Sequence, residues 1–513
     1  MENNPHDLRA AERAFLPLAL PGGTGSGRAV VEVDHVSNPA LLEDLRRLVG
    51  PRYVLTEPED VVVYEQDGSF MRVMPQIVVL PASTEEVAGV VRLAAVAEVP
   101  IVPRGAGTGL AGGAVPAEGG IVLSLARMNR ILEVDAANRI AVLEPGVVNL
   151  DVSRAVAPHG LFFAPDPSSQ AACSIGGNVA NNSGGPHTLA YGVTVNHVLG
   201  LEVVLADGSV VRLGGRVPDA PGYDLVGLFV GSEGTLGIVT KAIVRLMAAR
   251  EAVGTMLAIF DDFDAATQTV TDVTAAGIIP AALEMMDDVT IRAVERGLSL
   301  GFPLDAAAVL LIEVEGLREH VAEATRRLRD ICARNGARAV RVAADEAERA
   351  ALWKGRKSAF GAMGTLAPSY YVHDGVVPRS RLPEIMRRVR EIAGAHQVLI
   401  ANVFHAGDGN LHPNILFDIR NEGELDRVIA AGEAILRACV DAGGSLTGEH
   451  GIGLEKRAYM SWLFSPADLA AMRAIKEVFD PGGRFNPAKL FPTPPGCGEA
   501  QRAPGRIPAG LWI

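Results

Sequence analysis

The stretch Val99-Pro-Ile-Val-Pro-Arg-Gly-Ala-Gly-Thr-Gly-Leu-Ala-Gly-Gly-Ala114 decides the fold, because a short apolar run leads directly into a loop with five glycines. Glycine lets a backbone turn tightly and present several N–H groups to one anion, so the loop is a candidate pyrophosphate cradle. Gly107, Gly109 and Gly112 fit G-x-G-x-x-G, but that motif opens a helix in the Rossmann fold, whereas here another apolar run, Ile121–Leu125, follows. The alternative is a glycine-rich turn without a ligand.

The residues before this loop have the pattern of a strand, a helix and a second strand. Ile77–Leu80 is an apolar run, and Ser83-Thr-Glu-Glu86 then has the sequence of a capping box. Apolar residues from Val87 to Ala94 fall on one face of the helix that follows. Leucines at helical spacing predict an earlier helix over Pro39–Val49. A rigid unit of this kind commonly presents a ligand-binding loop.

Composition and charge limit the class of protein. The 513 residues are 48% apolar and 21% charged, which is typical of a globular chain of two or three domains. A net charge of −13 argues against nucleic acid as the main partner. No apolar run approaches the roughly 20 residues that span a bilayer, and Phe15–Leu20 is too short for a signal peptide. We expect a flexible leader at 1–35 and a disordered, Pro-, Gly- and Arg-rich tail at 492–513.

Two further segments rich in glycine and small polar residues follow the first. Ala164–Gln170 contains two prolines that stiffen an extended path, and residues 173–185 contain two glycine pairs among asparagines and serines. The third segment is Gly231–Val239, Gly-Ser-Glu-Gly-Thr-Leu-Gly-Ile-Val. Glycine pairs permit close approach to a flat ligand, while Asn and Ser supply hydrogen bonds. Between these segments, Asp207-Gly208 predicts a hairpin with a two-residue loop.

Two histidines lie close together in Val403–Pro413, where apolar runs flank Asp408-Gly409 and predict another hairpin. With those two residues as the loop, His405 faces His412 directly, and Asn414 lies on the same face of the sheet. Two imidazoles so placed could share one divalent metal ion.

Glu449 and His450, in Thr447-Gly-Glu-His-Gly-Ile-Gly453, could complete such a site. The glycines of this segment let it run close to other backbone. The alternative is two unrelated turns with surface histidines.

The sequence pattern of residues 250–400 differs from that of the glycine-rich part before it. Apolar strands such as Val309–Val314 alternate with amphipathic helices in an α+β pattern. An apolar stripe from Leu317 to Ile331 predicts a helix that ends at Asn335-Gly336. Arg356 lies on a further predicted helix, where by residue type alone it is a solvated charge.

These motifs together resemble a known family. They are Pro165–Ser169 with Ile175–Gly177, Gly231–Val239, His405–His412 and Gly448–Gly453. The three glycine-rich segments, at 99–114, 164–185 and 231–239, are similar in this order to the flavin-binding domain of the vanillyl-alcohol-oxidase/PCMH superfamily. Residues 40–491 resemble the FAD-linked subunits of bacterial glycolate oxidases, in the FAD-binding oxidoreductase/transferase type 4 family, whose relatives include D-lactate and D-2-hydroxyglutarate dehydrogenases.

The resemblance implies an α+β fold with three parts. They are a PCMH-type FAD-binding domain at 36–248, an α+β (ferredoxin-like) cap and substrate domain at 249–440, and a C-terminal segment at 441–491 that returns to the FAD-binding domain and packs at the flavin site. The FAD pyrophosphate would lie on the 104–109 loop.

The resemblance also implies the site residues. Those implied to bind FAD are Arg104, Gly105, Ala106, Gly107, Thr108, Gly109, Pro165, Asp166, Ser168, Cys173, Ser174, Gly176, Gly177, Asn178, Asn181, Gly184, Gly185, Tyr191, Gly192, Glu233, Gly237, Ile238, Val239 and Asn486. The implied ligands of a divalent metal (Zn, Mn or Fe) are His405, His412 and Glu449. Arg356 is the implied anchor of the substrate carboxylate, with Asn414 and His450 as further substrate contacts and His450 as the general base.

The function implied is FAD-dependent oxidation of a D-2-hydroxy acid, with glycolate to glyoxylate as the first candidate, by hydride transfer to flavin N5 with metal-assisted deprotonation of the hydroxyl. D-Lactate and D-2-hydroxyglutarate are alternative substrates. Two alternatives of other classes are a non-catalytic FAD-binding electron-transfer subunit and a zinc hydrolase. We expect non-covalent FAD, because the 104–109 loop contains no His or Cys; Cys173 is the one residue in doubt.

Cys173, Cys332, Cys439 and Cys497 are far apart and form no C-x-x-C motif, which indicates a reducing compartment and no Fe–S cluster of the chain's own. By resemblance, we therefore expect a second flavin-domain subunit and a separate Fe–S subunit as partners. The expected location is cytoplasmic, at most peripheral on the inner face of the cell membrane. A soluble homodimer is the alternative.

Overall fold

The computed structural model describes residues 38–218 and 221–492. The predicted leader at 1–35 lies outside these residues, and so does the predicted tail apart from Pro492. Within the described residues, no helix combines the length and the hydropathy needed to cross a bilayer.

The described chain up to residue 248 forms two sheets and a two-stranded ribbon. Its helices are α1 (Pro39–Val49), α2 (Pro58–Val61), α3 (Thr84–Val96), α4 (Asn149–Val156), α5 (Ile175–Asn181), α6 (Thr188–Tyr191) and α7 (Leu225–Phe229). Its strands are β1 (Val54–Leu55), β2 (Ile77–Val79), β3 (Ile101–Arg104), β4 (Ile121–Ser124), β5 (Ile131–Asp135), β6 (Ile140–Leu143), β7 (Leu161–Phe162), β8 (Val198–Val204), β9 (Val210–Gly214), β10 (Ile238–Arg245) and β11 (Met247–Ala248). Short 3-10 turns lie at Pro51–Tyr53, Val62–Tyr64, Ala157–His159 and Thr194–His197.

The glycine-rich loop leaves the edge strand of the first sheet. The strand order is β1-β2-β4-β3, with β2, β4 and β3 parallel and buried almost throughout, as expected of parallel strands covered on both faces. Helix α1 has the predicted bounds, and α3 begins where the Ser83 side chain accepts a hydrogen bond from Glu86 N–H at 3.2 Å. Strand β4 rather than a helix follows the loop, which excludes a Rossmann fold here.

The second sheet, of order β5-β6-β10-β8-β9, is antiparallel and contains the predicted hairpin at Asp207-Gly208. The β8–β9 ladder closes with Val204 opposite Val210, so the connection is longer than the predicted two residues. The Asp207 carboxylate accepts the N–H of Ser209 at 2.8 Å, which stabilises the wider turn.

The chain from residue 249 onward builds a third, larger sheet. Its helices are α8 (Phe263–Ala275), α9 (Asp288–Leu298), α10 (Arg318–Arg334), α11 (Glu346–Lys357), α12 (Ala359–Ala362), α13 (Leu382–His396), α14 (Glu424–Asp441), α15 (Met460–Leu463) and α16 (Pro466–Phe479). Its strands are β12 (Ala252–Phe260), β13 (Ala282–Asp287), β14 (Ala308–Gly316), β15 (Ala337–Val342), β16 (Ser369–Val372), β17 (Leu399–Phe404) and β18 (Pro413–Phe417). Short 3-10 turns lie at Met363–Thr365, Arg379–Arg381 and Arg457–Tyr459.

This third sheet has the order β15-β12-β14-β13-β17-β18-β16, and every neighbouring pair is antiparallel. Strands β12 to β15, with α8 and α10 as their crossovers, have the ferredoxin-like arrangement, which confirms the predicted α+β class. Helix α10 ends at Asn335 as predicted, but Leu317 precedes the helix and is 65% exposed, so it lies outside the buried stripe.

The last segment returns to the first sheet beside the glycine-rich loop, as predicted. Ile101 N–H donates to the carbonyl of Arg484 at 2.9 Å, and Asn486 N–H donates to the carbonyl of Ile101 at 2.8 Å. Phe485 therefore runs parallel to β3 and is buried. The domain bounds 36–248, 249–440 and 441–491 stay a prediction.

A buried ionic cluster joins the first part of the chain to the third sheet. His187 Nδ1 lies 2.9 Å from an oxygen of Asp166, and its Nε2 lies 3.3 Å from Glu313 on β14. Arg349 on α11 donates two hydrogen bonds of 3.0 Å to the same Glu313 carboxylate. Burial disfavours the imidazolium, but the adjacent carboxylates outweigh it and raise the pKa of His187 to about 10.

We predict that His187→Gln lowers the free energy of unfolding by about 2 kcal/mol at pH 7, the scale of hydrogen bonds to charged groups. Because the folded pKa is raised to about 10 from 6.5, this contribution is complete below about pH 6.5 and is lost as the pH rises through 10. Urea unfolding of both proteins from pH 6.5 to 10.5 measures the difference, with the exposed His320→Gln as the control. A difference that stays constant over this range would contradict the assignment.

Candidate active site

A cavity of about 360 Å³ lies where the three glycine-rich segments meet the cap and the C-terminal segment. Its volume is in the range of small-molecule and cofactor sites. Of the residues predicted to bind FAD, those that line it are Arg104, Gly105, Ala106, Gly107, Thr108, Gly109, Ser168, Cys173, Ser174, Gly176, Gly177, Asn178, Asn181, Glu233, Gly237, Ile238, Val239 and Asn486.

The remaining predicted FAD residues lie behind this lining. They are Pro165, Asp166, Gly184, Gly185, Tyr191 and Gly192. The Asp166 carboxylate is turned to His187, and the Tyr191 ring packs edge-on against Phe162 with centroids 5.7 Å apart. A role in binding FAD directly stays a prediction for these residues.

The 104–109 loop has the geometry of an anion cradle. Gly107 has a φ of +71°, and a Cβ there would collide with the Arg104 guanidinium. Arg104 is 8% exposed and donates to the carbonyl of Gln66 at 2.8 Å, beside the buried Asp67. The loop thus combines small residues, a tight backbone turn and a fixed cation. These are the features expected of a site that binds a pyrophosphate.

The hairpin that carries His405 and His412 differs from the predicted one by two residues. His405 pairs with Asn410, and Asn402 pairs with Pro413, so four residues rather than two form the loop and the direct pairing of the histidines is wrong. A shift of two residues keeps every side chain on the same face, because side chains alternate with a period of two. The histidines are therefore diagonal neighbours, with ring centroids 5.1 Å apart.

Both histidines direct Nε2 at one carboxylate oxygen. Glu449 Oε1 lies 3.3 Å from Nε2 of His405 and 3.1 Å from Nε2 of His412. The other ring nitrogens are already engaged: Nδ1 of His405 lies 2.9 Å from both Glu284 oxygens, and Nδ1 of His412 lies 3.2 Å from the carbonyl of His373.

This arrangement fits a divalent cation. A histidine that ligates a metal usually donates its other N–H to a carboxylate or carbonyl, as both do here. Nε2 of His412 is buried and makes no hydrogen bond of suitable geometry in the described structure, although Glu449 Oε1 is 3.1 Å away. Two imidazoles and a carboxylate suit Zn, Mn or Fe. The pKa of Glu449 is held well below its usual value, because the facing imidazoles outweigh the effect of burial.

A second group, Asp374 with His412 and His450, also brings its ligand atoms close together. It fits a cation less well, because the Asp374 oxygens accept hydrogen bonds from the Gly448, Glu449 and His450 N–H groups. His412 in addition uses the nitrogen that faces this group to donate to a carbonyl.

His450 stands at the edge of the cation site and lines the cavity. Its ring stacks on His412 with centroids 4.9 Å apart and planes 11° apart, and its Nε2 lies 3.6 Å from Glu449 Oε1. Nδ1 has no hydrogen-bond partner among the described residues. Burial disfavours the imidazolium, but the Asp374 and Glu449 carboxylates outweigh it and raise the pKa of His450.

Arg356 is fully buried on α11, which excludes the interpretation as a solvated charge. Its Nη2 lies 2.5 Å from Glu284, while its Nε and Nη1 have no hydrogen-bond partner in the described structure. Asn414 is also buried: its amide N–H groups donate to the carbonyls of Ala401 and His412, and its Oδ1 is left without a partner. Neither residue lines the cavity surface.

Several residues that shape the site were not predicted. The cavity is also lined by Lys357, Phe360, Tyr370 and Val372, and Glu284 and Asp374 contact the histidines or their loop. Lys357 follows the predicted Arg356 directly, so the sequence offered a local signal for it. Asp374 stands in the polar stretch His373-Asp-Gly375, but only the fold brings it and the other residues to the site.

Comparison with known proteins matches two parts of the chain to family models. A model described as FAD binding domain matches residues 75–214, and a model described as FAD linked oxidases, C-terminal domain, matches residues 249–490. Glycolate oxidase subunit GlcD of Escherichia coli strain K12 is 46% identical over 92% of this chain and 94% of its own length. The Bacillus subtilis protein of that name is 44% identical over 88% of this chain and 96% of its own length.

More distant relatives share the fold and act on other compounds. A D-2-hydroxyglutarate dehydrogenase of Stutzerimonas stutzeri is 33% identical over 89% of this chain and all of its own length. The structure of p-cresol methylhydroxylase is similar with a TM-score of 0.72 over 88% of this chain and 96% of that chain, at 19% identity, which shows the PCMH-type fold. With both parts matched and relatives aligned over nearly the whole length, the chain belongs to the FAD-linked oxidase family of glycolate oxidase subunits and related 2-hydroxy-acid dehydrogenases.

Proposed function

We propose that this chain oxidises a D-2-hydroxy acid at the cavity, with glycolate as the first candidate substrate and glyoxylate as its product. The observation that supports this most is the group His405, His412 and Glu449, whose ligand atoms face one another beside His450 at the edge of the cavity. The glycolate oxidase subunits aligned over almost the whole chain support the same substrate.

The residues of the chain would hold two groups. FAD, bound in the cavity, would accept the hydride from C2 of the substrate. A divalent metal held by His405, His412 and Glu449 supplies Lewis acidity toward the substrate hydroxyl. His450, whose ring lines the cavity next to these ligands, accepts the hydroxyl proton as general base.

Arg356 and Asn414 would fix the substrate. The unpartnered Nε and Nη1 of Arg356 are donors suited to a carboxylate, and the unpartnered Oδ1 of Asn414 is an acceptor next to the backbone of His412. Their contact with substrate requires a small opening of the buried wall, and both roles stay proposals.

FAD is proposed to bind without a covalent bond. Cys173 lines the cavity, but burial raises the pKa of its thiol, which keeps it protonated and weakly nucleophilic. Its sulfur accepts a hydrogen bond from Asn178 at 3.4 Å.

D-Lactate and D-2-hydroxyglutarate are the alternative substrates, since relatives named for each align with the chain. Phe360, Tyr370 and Val372 line the cavity, and the Phe360 ring lies 5.9 Å from that of His412. These side chains favour a short monocarboxylate, because Lys357 is the one cation beside them in the described lining that could compensate a second buried carboxylate.

The chain is proposed to act with a second flavin-domain subunit and an Fe–S subunit. The support is that the aligned GlcD proteins are named as subunits, and that the four cysteines of the sequence are too far apart to form one cluster motif. The cytoplasmic, at most peripheral, location stays a prediction.

The function is tested by mixing the FAD-loaded chain anaerobically with glycolate, D-lactate, L-lactate and D-2-hydroxyglutarate. We expect glycolate to bleach the oxidised-flavin band with a second-order rate constant of flavin reduction about tenfold above that for D-lactate, the scale of one methyl group in a tight pocket. Absence of bleaching by all four acids would favour the non-catalytic electron-transfer subunit.

We predict that His405→Ala and His412→Ala each lose the metal and most of the activity while FAD stays bound, because each removes one of three ligands. Metal analysis and the flavin spectrum measure this, and the exposed His159→Ala is the control. Full metal occupancy in both site variants would show that the cation lies elsewhere.

We predict that His450→Asn keeps FAD and metal but slows flavin reduction by about 10²–10⁴-fold, the usual contribution of a general base. Stopped-flow reduction at saturating substrate measures the rate constant. A value within threefold of the unmodified enzyme would remove His450 from the mechanism.

A further inference from the structure

The segment Thr447–Gly453 brings Glu449 and His450 to the site, yet it belongs to no helix or strand. Ladder pairing ends just before it, where Ser445 pairs with Val376. Gly453 has a φ of +53°, and a Cβ there would collide with the carbonyl of Ala111. Something other than secondary structure must therefore hold this loop, because a mobile loop could not keep a ligand and a base in register.

The first half of the loop is held from the third sheet by Asp374. This carboxylate is 0% exposed and lies just after β16. One oxygen, Oδ2, accepts the N–H groups of Gly448 at 3.0 Å, Glu449 at 3.2 Å and His450 at 2.8 Å. The hydroxyl of Thr447 also donates to it.

The second half of the loop is held from the opposite side by Glu233. This residue belongs to the third glycine-rich segment, Gly231–Val239, lines the cavity and is 5% exposed. Oε1 accepts the N–H of Ile452 at 2.6 Å, and Oε2 accepts the N–H of Gly453 at 2.8 Å. Its backbone is fixed in turn, because Asn486 donates to its carbonyl at 2.7 Å and its N–H donates to Ala180 at 2.8 Å.

We propose that Asp374 and Glu233 are positioning residues that clamp the loop Thr447–Gly453 from two parts of the fold, and so set the place of Glu449 as metal ligand and of His450 as base. The roles of Glu449 and His450 rest on the proposed function; the clamp itself rests on the contacts above.

Two properties make these carboxylates suited to the task. Hydrogen bonds from N–H groups to a carboxylate are shorter and roughly twice as strong as those between neutral groups. Each carboxylate also takes successive N–H groups of one short segment, so it fixes backbone direction rather than a single atom. Since one acid comes from the cap and the other from the FAD-binding part, the loop can be in place only when both parts are docked.

The test compares Asp374→Asn and Glu233→Gln in the FAD-loaded, metal-replete enzyme. Each amide keeps the shape but removes the negative charge and leaves one accepting oxygen, so the hydrogen bonds to the loop weaken even where that oxygen takes the place of Oδ2 of Asp374. We expect amide hydrogen exchange to rise about tenfold or more at Gly448–His450 in the first variant and at Ile452 and Gly453 in the second. Metal affinity, measured by chelator competition, should fall 10–100-fold in Asp374→Asn, as for other partners of metal ligands.

A kinetic readout separates positioning from general damage. At saturating metal, the limiting rate constant of flavin reduction should fall at least tenfold in Asp374→Asn, while the apparent Kd for glycolate changes less than threefold. Asp287→Asn is the matched control, because Asp287 is a buried carboxylate that accepts the N–H groups of Thr290 and Asn402 and does not contact the loop. It should leave loop exchange and metal affinity unchanged.

Thr447→Val is a milder variant, because it removes only one donor to Asp374. It replaces Asp374→Asn in the test if that variant does not fold. We expect it to raise hydrogen exchange at Gly448–His450 by a smaller factor. Loop exchange equal to that of the unmodified enzyme in Asp374→Asn and Thr447→Val, or a rise spread evenly over the chain, would overturn the clamp. If no hydroxy acid reduces the flavin, the proposed function fails. The hydrogen-exchange and metal-affinity measurements still test the clamp, because neither needs turnover.

Discussion

The Glu449 carboxylate is the point on which the arrangement of the site depends. One of its oxygens faces the imidazoles of His405, His412 and His450 at 3.3, 3.1 and 3.6 Å. A buried carboxylate is costly unless positive charge or hydrogen bonds compensate it, and imidazolium or a bound cation can do so here. Glu284 adds a second buried carboxylate on the far side of His405, and Arg356 compensates part of its charge.

The fold brings these groups together from distant parts of the chain. The antiparallel hairpin β17–β18 supplies both histidines, the C-terminal segment supplies Glu449 and His450, and three glycine-rich segments supply the cavity beside them. The parallel sheet of the first part holds the loop 104–109 at its edge, and residues near Phe485 return to the same strand. A site of this kind can form only after both halves have folded and docked.

Local features could be predicted from the sequence because their causes are local. The bounds of α1, the hairpin at Asp207-Gly208 and the rejection of the Rossmann motif all follow from caps, turn residues and periodicity. The pairing of His405 with His412 was wrong by two residues, because turn chemistry at Asp408-Gly409 does not fix loop length when Ala406 and Gly407 also leave the ladder. The shared face was still correct, since the error was an even number of residues. Glu284 and Asp374 could not be predicted, because their partners, His405 and the loop residue His450, are more than 70 residues away in sequence.

The most direct measurement of the central claim is anomalous X-ray diffraction from crystals of the active, FAD-loaded enzyme, with the metal identified beforehand by elemental analysis. We expect an anomalous peak about 2.0–2.2 Å from Nε2 of His405, Nε2 of His412 and a carboxylate oxygen of Glu449, with the ring of His450 beside it and the flavin in the adjoining cavity. A peak held by other residues, or full activity in crystals with no peak at this position, would show that Glu449 does not hold the metal on which the reaction depends.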